Sequence, residues 1–390
     1  MSQINISHLL EFLYNWNYRG GKFIHLLQNT THGNDERFNP HHMEGSIWTH
    51  TLLVLFQAHK YWDKQLEYSL AALLHDFGKA FVRTEKRKDD GTLKTHFINH
   101  GSAGTQVALD FLLDLREKYD ISNEMIFRII SFVSNHYEFW SVKNSQEAIK
   151  FCNNDRDLLY LFLQLLQCDT EGRIKLDTAV YDEVPQKDDI SFLIKIGDDS
   201  LNHDFKEPEK NDFVNIHFCC GVPGVGKDFY AEQFTHRNNI ISFDKIRVWN
   251  YQKSEFYNPE KSPVETYTEA FQYCIDNDIN LDQELLNQVK LLLTLNHRDI
   301  YICNTFTVPK SRKRLINIIK NYIKQPLNFN CHYIMSDIKT ILRRNKKRSK
   351  TDKHIPIDVI DNFLYRQSIP TLLEGFTNIN FIINNKQKKI

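Results

Sequence analysis

The first half of the chain places its apolar residues with the period of an α-helix. Five stretches carry apolar residues at i, i+3 and i+4 spacing. They are SIWTHTLLVLFQAHKYW, LEYSLAALLHDFGK, GSAGTQVALDFLLDLREKY, EMIFRIISFVSNHYEFW and DRDLLYLFLQLLQCD. Gly78, at the end of the second stretch, is typical of a helix end. The pattern predicts an all-α domain over residues 1–176.

The pattern changes after residue 176. Residues 177–211 are acidic and irregular, which predicts a linker. After them, FVNIHFCC is an apolar run that ends at a glycine, as a buried parallel strand does. Further strand candidates, separated by helical stretches, are NIISF, DIYICN, FNCHYIM and INFIIN. This alternation predicts an α/β domain with a parallel sheet over residues 212–390.

Composition and length fit two globular domains. The chain has 390 residues, which is comfortable for two domains. We find no run of about 18 apolar residues and no signal peptide, so no membrane association is expected. The seven cysteines form no C-x-x-C pair, which predicts reduced thiols in a cytoplasmic protein.

Charge is balanced over the whole chain but not along it. From Asp212 to the end there are 26 basic and 18 acidic residues. The excess is concentrated between Lys310 and Lys350, where 13 basic residues accompany one acidic residue. This excess predicts a polyanionic partner.

The segment LLHDFGK places His75 and Asp76 next to each other. Adjacent helical residues point about 100° apart, so the two can share a metal only near a helix terminus. Other candidate ligands also lie near predicted helix ends: His50, His100, His136 and Asp169. Imidazole and carboxylate ligands suit Mn, Fe, Co, Ni or Zn. Two such metals bridged by a carboxylate would clamp a phosphoester.

This ordered set of residues resembles the HD phosphohydrolase superfamily. HHMEGSIWTHT and NHGSAG are similar to segments of the HD domains attached to tRNA nucleotidyltransferases. The resemblance implies that Asp76 bridges two metals and that Lys79 faces a substrate phosphate. The first metal would be held by His50, His75, Asp76 and Asp169. The second would be held by His100 and His136, together with the bridging Asp76. Three histidines fit no required position and are expected on the surface: His41, His42 and His96.

A phosphate-binding motif opens the α/β domain. HFCCGVPGVGKDFYAEQF fits G-x-x-x-x-G-K-[ST] at Gly221, Gly226 and Lys227, and Gly224 lies inside it. The preceding strand and following helix are the context that such a loop requires. The last position holds Asp228 in place of a magnesium-binding hydroxyl. A carboxylate binds Mg²⁺ well, but it also adds negative charge near the nucleotide, so the loop alone leaves its activity open.

Two later segments carry groups for phosphoryl transfer. IISFDKIRVW places Asp244 after a strand and Arg247 one helical turn later, which suits a general base and a clamp on an acceptor phosphate. LRRNKKRSKTDKHIPIDVIDNF places Arg344 and Arg348 on one helix face, where they suit a lid over a transferring phosphoryl group.

In this order the segments resemble a phage-type 5′-OH polynucleotide kinase over most of residues 212–370. The most specific pieces are D-x-x-R and R-N-x-x-R followed by V/I-P-I-D. The resemblance implies that Asp244 is the general base, that Arg247 contacts the acceptor, and that Arg344 and Arg348 contact the phosphates of ATP or another NTP bound with Mg²⁺. The chain departs from the family in CNTF, where D-T-N is usual, at Cys303 and Phe306.

An HD module followed by such a kinase resembles the bacterial HD-Pnk enzymes, which heal RNA ends. The resemblance implies that the HD half removes a 3′-phosphate or opens a 2′,3′-cyclic phosphate, and that the other half phosphorylates a 5′-OH. Cleaved tRNA is one expected partner, and a separate RNA ligase is expected to act in trans. We expect the kinase to remain active with Asp228. Two alternatives stay open: an HD nucleotidase fused to a small-molecule nucleoside or nucleotide kinase, and an HD phosphohydrolase regulated by a non-catalytic ATP-binding module.

Overall fold

The chain folds as two compact units in a computed structural model. The structure describes residues 5–34, 39, 41–62, 66–174, 190–200, 213–348 and 354–385. The first unit holds Met1–Lys206 and Leu364–Ile369, and the second holds Glu207–Phe363 and Pro370–Ile390. Residues 177–189 and 201–211 of the predicted linker, and residues 349–353 of the predicted lid, lie outside the described residues.

The first unit is helical, as predicted. Its helices are α1 (Ile6–Asn15), α2 (Phe23–Asn29), α3 (Ile47–Trp62), α4 (Leu66–Leu74), α5 (Lys79–Val82), α6 (His100–Arg116), α7 (Asn123–Phe139), α8 (Ser145–Phe151), α9 (Arg156–Glu171) and α10 (Ile190–Ser200). Two short antiparallel pairs were not predicted: β1 (Asn17–Tyr18) with β2 (Gly21–Lys22), and β3 (Thr84–Arg87) with β4 (Leu93–His96).

Large apolar side chains fill the core of this unit. The rings of Phe23, Phe77 and Phe111 are fully buried, and Phe23 and Phe77 lie 4.7 Å apart between centroids. Each buried side chain of this size contributes about 2 to 3 kcal/mol through removal of apolar surface from water. This packing fixes the helices whose ends carry the predicted metal ligands.

Gly78 does not itself end α4, contrary to the prediction. The helix ends at Leu74, and Gly78 has an ordinary right-handed φ of −68°. A Cβ atom at Gly78 would lie 1.8 Å from the carbonyl oxygen of His100 and 2.4 Å from the nitrogen of Gly104. The glycine is therefore needed because the backbone of α6 passes directly against it.

Helix α10 lies inside the segment that was predicted to be an irregular linker. Its residues Leu193 and Ile196 are buried, and Gly197 approaches Leu163 of α9. The apolar spacing of Leu193 and Ile196 is a helical signal that the acidic residues around it obscured. This part of the predicted linker is an ordered helix.

The second unit is an α/β fold with a parallel sheet, as predicted. Its strands are β5 (Val214–Cys220), β6 (Asp299–Cys303), β7 (Leu327–Met335) and β8 (Asn378–Ile383). Their order is β6-β5-β7-β8, and every neighbouring pair is parallel. The helices are α11 (Lys227–Ala231), α12 (Phe243–Gln252), α13 (Pro263–Asp276), α14 (Leu281–Thr294), α15 (Pro309–Tyr322), α16 (Ile338–Arg348) and α17 (Ile357–Leu364).

Four of the five strand candidates form strands, and NIISF does not. It makes a single parallel bridge between Ile241 and Ile302. The next residue, Ser242, accepts a hydrogen bond from the backbone N–H of Lys245 and caps α12. The chain therefore turns into a helix before a strand can extend.

The structure describes all the cysteines and the lengths of the helices. All seven cysteines lie within the described ranges and are buried free thiols. Within the same ranges, none of the helices has the length and apolar content needed to cross a lipid bilayer.

Candidate functional site

The first unit brings all six predicted metal ligands into one buried cluster. Each ligand comes from a helix end or from the turn after one, which is why their side chains can converge. They are His50 from α3, His75 and Asp76 after α4, His100 from α6, His136 from α7 and Asp169 from α9. Every one of these side chains is buried or nearly so.

One group of ligands surrounds the Oδ2 side of Asp76. The Nε2 atom of His50 lies 3.0 Å from Oδ1 of Asp169 and 3.5 Å from Oδ2 of Asp76. The Nε2 atom of His75 lies 3.2 Å from the same Oδ2 and 3.8 Å from Oδ1 of Asp169. Two imidazoles and two carboxylates in this arrangement suit one divalent transition metal.

A second group lies on the Oδ1 side of Asp76. The Nε2 atom of His100 is 3.6 Å from this oxygen and 3.0 Å from Nε2 of His136. The two oxygens of Asp76 thus face different groups. This is the geometry required of a carboxylate that bridges two metals.

Backbone contacts orient three of the histidines toward the cluster. The Nδ1 atoms of His75, His100 and His136 bond the carbonyl three residues earlier, at 2.7, 2.9 and 3.0 Å. Because a carbonyl only accepts, each Nδ1 carries a proton, and each Nε2 faces the cluster.

The His100 and His136 pair fits a cation particularly well. Burial lowers the pKa of His100 to about 4 and that of His136 to about 3, so both are neutral near pH 7. Two Nε2 lone pairs 3.0 Å apart repel each other. A divalent cation bound to both nitrogens removes that repulsion, and the donor set therefore fits a metal.

Positive side chains balance the buried carboxylates. Burial acts to raise the pKa of Asp76, but His75 and Lys79 hold it well below its usual range. The Nζ atom of Lys79 lies 2.6 Å from Oδ2 of Asp76. In the same way, Arg173 lies 2.5 Å from Asp169 and keeps the pKa of that buried carboxyl low. Both carboxylates are therefore ionised and available as ligands.

Sequence reasoning missed Glu44, which orients a ligand from behind. Its Oε1 atom lies 2.9 Å from Nδ1 of His50, and its Oε2 atom accepts a hydrogen bond from the N–H of Ile174. A carboxylate behind a metal-binding histidine fixes the ring and raises its basicity. Glu44 lies six residues before His50 in a segment without periodic pattern, so no spacing rule singles it out.

The expectation that His42 lies on the surface is wrong. Its Nδ1 lies 2.8 Å from Oε1 of Glu44, and its ring stacks on His32 at 4.0 Å between centroids. His32 is itself buried, and its Nε2 lies 3.1 Å from Nζ of Lys79. Both rings thus extend the polar network around the cluster. His41 and His96 are partly exposed.

The phosphate-binding motif of the second unit has the backbone that such a loop requires. Gly221, Gly224 and Gly226 have φ values of 142°, 91° and 93°, which favour glycine. A Cβ atom at Gly221 would also lie 2.3 Å from the carbonyl oxygen of Ile334. The loop follows β5 and leads into α11, at the carboxyl end of the strand, where ligands of α/β sheets bind.

The lysine of this loop is held by the loop itself. The Nζ atom of Lys227 donates to the carbonyls of Gly221 and Val222 at 2.8 and 3.1 Å. Burial lowers the pKa of Lys227, which the charge of Asp228 partly offsets and that of Arg348 reinforces. Asp228, the next residue, is exposed.

Arg344 braces the loop from α16. Its Nη1 atom donates to the carbonyls of Gly224 and Val225 at 3.1 and 2.9 Å, and its Nη2 atom donates to the carbonyl of Asn384 at 2.9 Å. In this arrangement the guanidinium of Arg344 binds backbone carbonyls. Its contact with nucleotide phosphates stays a prediction. Arg348, one turn later, is half-buried at the end of α16.

Asp244 and Arg247 form the predicted pair at the start of α12. Oδ1 of Asp244 accepts from Nη1 of Arg247 at 3.1 Å and from the hydroxyl of Tyr267 at 2.8 Å. Tyr267, from α13, was not predicted because it is distant in sequence and follows no motif. Two donors on one oxygen favour the ionised carboxylate.

The turn after β6 links this pair to the phosphate-binding loop. The N–H of Phe243 donates to Oδ1 of Asn304, and the N–H of Gly221 donates to the carbonyl of Thr305, both at 3.0 Å. Two of the unusual residues of CNTF fill the interior here. Cys303 packs its sulfur against the carbonyl of Lys227, and Phe306 is buried with a φ of 43°.

Comparisons with known proteins agree with both halves of this description. A family model for the HD domain matches residues 47–161, and a model described as an AAA domain matches residues 216–370. The chain has no match among curated proteins.

A solved structure is similar to part of the chain. It is described as "a putative kinase" from Chloroflexus aurantiacus J-10-fl, at 14% identity and a TM-score of 0.33, and the match covers 47% of this chain and 91% of that one. A likeness at this level assigns no activity. The chain joins a helical unit that the HD-domain model matches, with a buried His/Asp cluster suited to divalent metals, to an α/β unit with a phosphate-binding loop that the AAA-domain model matches.

Proposed function

We propose that this chain is a bifunctional RNA end-healing enzyme. Its second unit would transfer the γ-phosphoryl group of ATP to the 5′-OH of a polynucleotide. Its HD unit would remove a 3′-phosphate or open a 2′,3′-cyclic phosphate. The observation that carries the proposal is the Asp244, Arg247 and Tyr267 cluster, tied through one turn to the phosphate-binding loop.

The kinase step assigns one role to each group of that cluster. Asp244 would accept the proton of the 5′-OH while the 5′ oxygen forms a bond to the γ-phosphorus of ATP. The bond between the γ-phosphorus and the oxygen of the β-phosphate would break in the same step. Arg247 would bind the acceptor phosphate, and Tyr267 would hold the carboxylate in place. Lys227 would exchange its loop carbonyls for phosphate oxygens, and Arg348 would neutralise charge on the transferred group.

The choice of a polynucleotide over a small acceptor rests on charge. Exposed basic residues of α15 include Lys310, Lys313 and Arg314. Arg312 of the same run is not available, because it is fully buried and bonded to Glu374 at 2.6 and 2.8 Å. The remaining residues would bind a phosphate backbone without sequence preference.

In the HD unit, the ligand cluster would hold one or two divalent metals, which supply Lewis acidity at a phosphoester. Asp76 would present one oxygen to each group of ligands. Glu44 would hold the ring of His50 in the required orientation, and Arg173 would do the same for Asp169. Lys79, which lies beside Asp76, would bind a phosphate oxygen through its ammonium group.

The first test is transfer of label from γ-labelled ATP, with Mg²⁺, to an RNA oligonucleotide that carries a 5′-OH. We expect the parent protein and Asp76→Asn to label the RNA, and Lys227→Ala to give no label. A second oligonucleotide with a 2′,3′-cyclic phosphate should be opened by the parent and by Lys227→Ala but not by Asp76→Asn. Each variant is thus the control for the other domain.

The rival functions predict different results in the same assays. A small-molecule kinase would label nucleosides or mononucleotides in preference to oligonucleotides. A non-catalytic nucleotide sensor would label no acceptor, and ATP would change the rate of the HD reaction. Either result in place of RNA labelling contradicts the proposed kinase activity.

A further inference from the structure

Helix α13 exposes a row of apolar side chains that do not pack against the interior of the second unit. Phe271 is 44% exposed and Ile275 is 55% exposed, and they follow the half-buried Tyr267 at intervals of four residues. The helix packs through a different stripe, which includes the buried Ala270 and Cys274. An exposed apolar row beside a polar site is typical of a binding surface.

This row begins at the predicted general base. The hydroxyl of Tyr267 donates to Asp244, which also accepts from Arg247. The guanidinium carbon of Arg247 lies 5.0 Å from the centroid of the Phe271 ring, over its face. The ring is therefore separated from the carboxylate of Asp244 by one guanidinium group.

The pairing of an arginine with an exposed ring has a specific use in single-strand recognition. Phosphates bind to the arginine, and bases stack on the aromatic ring without regard to sequence, since every base has a π-face. A planar guanidinium held over the ring keeps both groups in a fixed relation. Ile275 extends the apolar surface away from Asp244.

We propose that Phe271 is the stacking platform for a base at the 5′ end of the single-stranded acceptor. The inference rests on the proposed kinase function and adds the feature by which the acceptor is held. When Arg247 binds the phosphate that follows the 5′ nucleoside, the base of the first or second nucleotide stacks on Phe271. The 5′-OH then faces Asp244.

The test is the steady-state kinetics of 5′-OH phosphorylation by the full chain. Phe271→Ala should raise the KM for a single-stranded oligonucleotide about tenfold, which is a typical loss for one stacked base, and should leave the KM for ATP unchanged. Phe271→Trp should keep the parental KM, because a larger ring still stacks. Phe256→Ala is the matched control, since Phe256 is an exposed phenylalanine of the same unit that lies off this row; it should behave as the parent.

An acceptor without a base tests the contact from the ligand side. Replacing the first or second nucleotide by an abasic one should raise the parental KM about tenfold at one of the two positions. The same replacement should have no further effect in Phe271→Ala. A nucleoside 3′-monophosphate identifies the position: an equal effect of Phe271→Ala on this small acceptor assigns the terminal base, and an effect confined to the oligonucleotide assigns the next one.

Two negative results have different meanings. If the parent phosphorylates the oligonucleotide and Phe271→Ala has the same KM, the stacking role is wrong and the kinase proposal stands. If the parent phosphorylates no 5′-OH acceptor, the proposed function fails and this inference fails with it.

Discussion

The buried His/Asp cluster of the first unit, here called the HD cluster, and the phosphate-binding loop prepare their functional groups in opposite ways. In the HD cluster, the Nδ1 atoms of three histidines are bound to backbone carbonyls, and their Nε2 atoms are left facing the cluster. In the loop, the cations that should act on phosphates are themselves bound to carbonyls, as Lys227 is to Gly221 and Arg344 is to Gly224. The first site has its ligands oriented. Under the proposed function, the second would exchange these hydrogen bonds for contacts with phosphate oxygens.

The difference follows from what each site would bind. A metal needs several donors within a few tenths of an ångström of fixed positions, so its ligands benefit from burial and rigid support. A nucleotide is large and must enter and leave during each cycle, so a site that contacts it is expected to move. Mutations in the first unit should therefore affect metal content, and mutations in the second should affect acceptor and nucleotide kinetics.

The largest effect is expected at Asp76, because one side chain serves both groups of the HD cluster. Asp76→Asn should lower the HD phosphoesterase rate on the order of 1000-fold, since several kcal/mol of transition-state stabilisation depend on the bound metal. Hydrolysis of a 2′,3′-cyclic phosphate oligonucleotide measures the rate, and elemental analysis measures the metal. Full activity with normal metal content would remove Asp76 from the site.

Asp244 tests the second unit in the same way. Asp244→Asn should reduce kcat for 5′-OH phosphorylation about 100-fold, the lower end of the usual range for a general base, because the residue is partly exposed. ATP affinity, measured by isothermal titration, should not change. Tyr267→Phe should give a smaller loss, since only the support of the carboxylate is removed. A large loss of ATP affinity in Asp244→Asn would contradict the assigned role.

Glu44 tests whether support behind a ligand matters at the buried cluster. Glu44→Gln should weaken metal binding about tenfold to 100-fold, because an amide supports the His50 ring less well than a carboxylate. Activity should recover at high metal concentration, as measured by metal titration of the chelator-stripped protein. Glu117→Gln, which changes an exposed glutamate of the same unit, is the control. Loss of activity that added metal does not restore would contradict this account.

The smallest effect is expected at Asp228. Asp228→Ser should raise kinase activity at low Mg²⁺ by a few-fold, because a hydroxyl binds the metal without adding negative charge beside the phosphates. Asp228→Asn separates the two causes, since it removes the charge and supplies no hydroxyl. Identical magnesium titrations for the parent and both variants would show that Asp228 does not act at the metal.

Much of the fold was accessible from the sequence because its signals are local. The apolar period of α3, α6, α7 and α9 and the apolar runs of β5 to β8 depend on neighbouring residues. Helix α10 shows the limit of this approach, since a net acidic composition outweighed the spacing of Leu193 and Ile196. Gly78 shows another, because only the approach of α6 explains why that position lacks a side chain.

The site residues also differ in whether their signals are local in sequence. The six residues of the HD cluster could be proposed because each has a fixed place near a helix end and belongs to a known ordered set. Glu44, His32 and Tyr267 could not be proposed, since their importance comes from contacts between segments distant in sequence. The bracing role of Arg344 was also inaccessible, because a spacing rule gives its helix face but not its partners.

The most direct test of the account uses one RNA with a 5′-OH at one end and a 2′,3′-cyclic phosphate at the other. The full chain is incubated with this RNA, ATP, Mg²⁺ and Mn²⁺, and both ends are determined by mass spectrometry. We predict an RNA with a 5′-phosphate whose cyclic phosphate is opened or removed. An RNA with both ends unchanged, under conditions in which the same protein phosphorylates or hydrolyses mononucleotides, would contradict the central claim that the chain acts on polynucleotide ends.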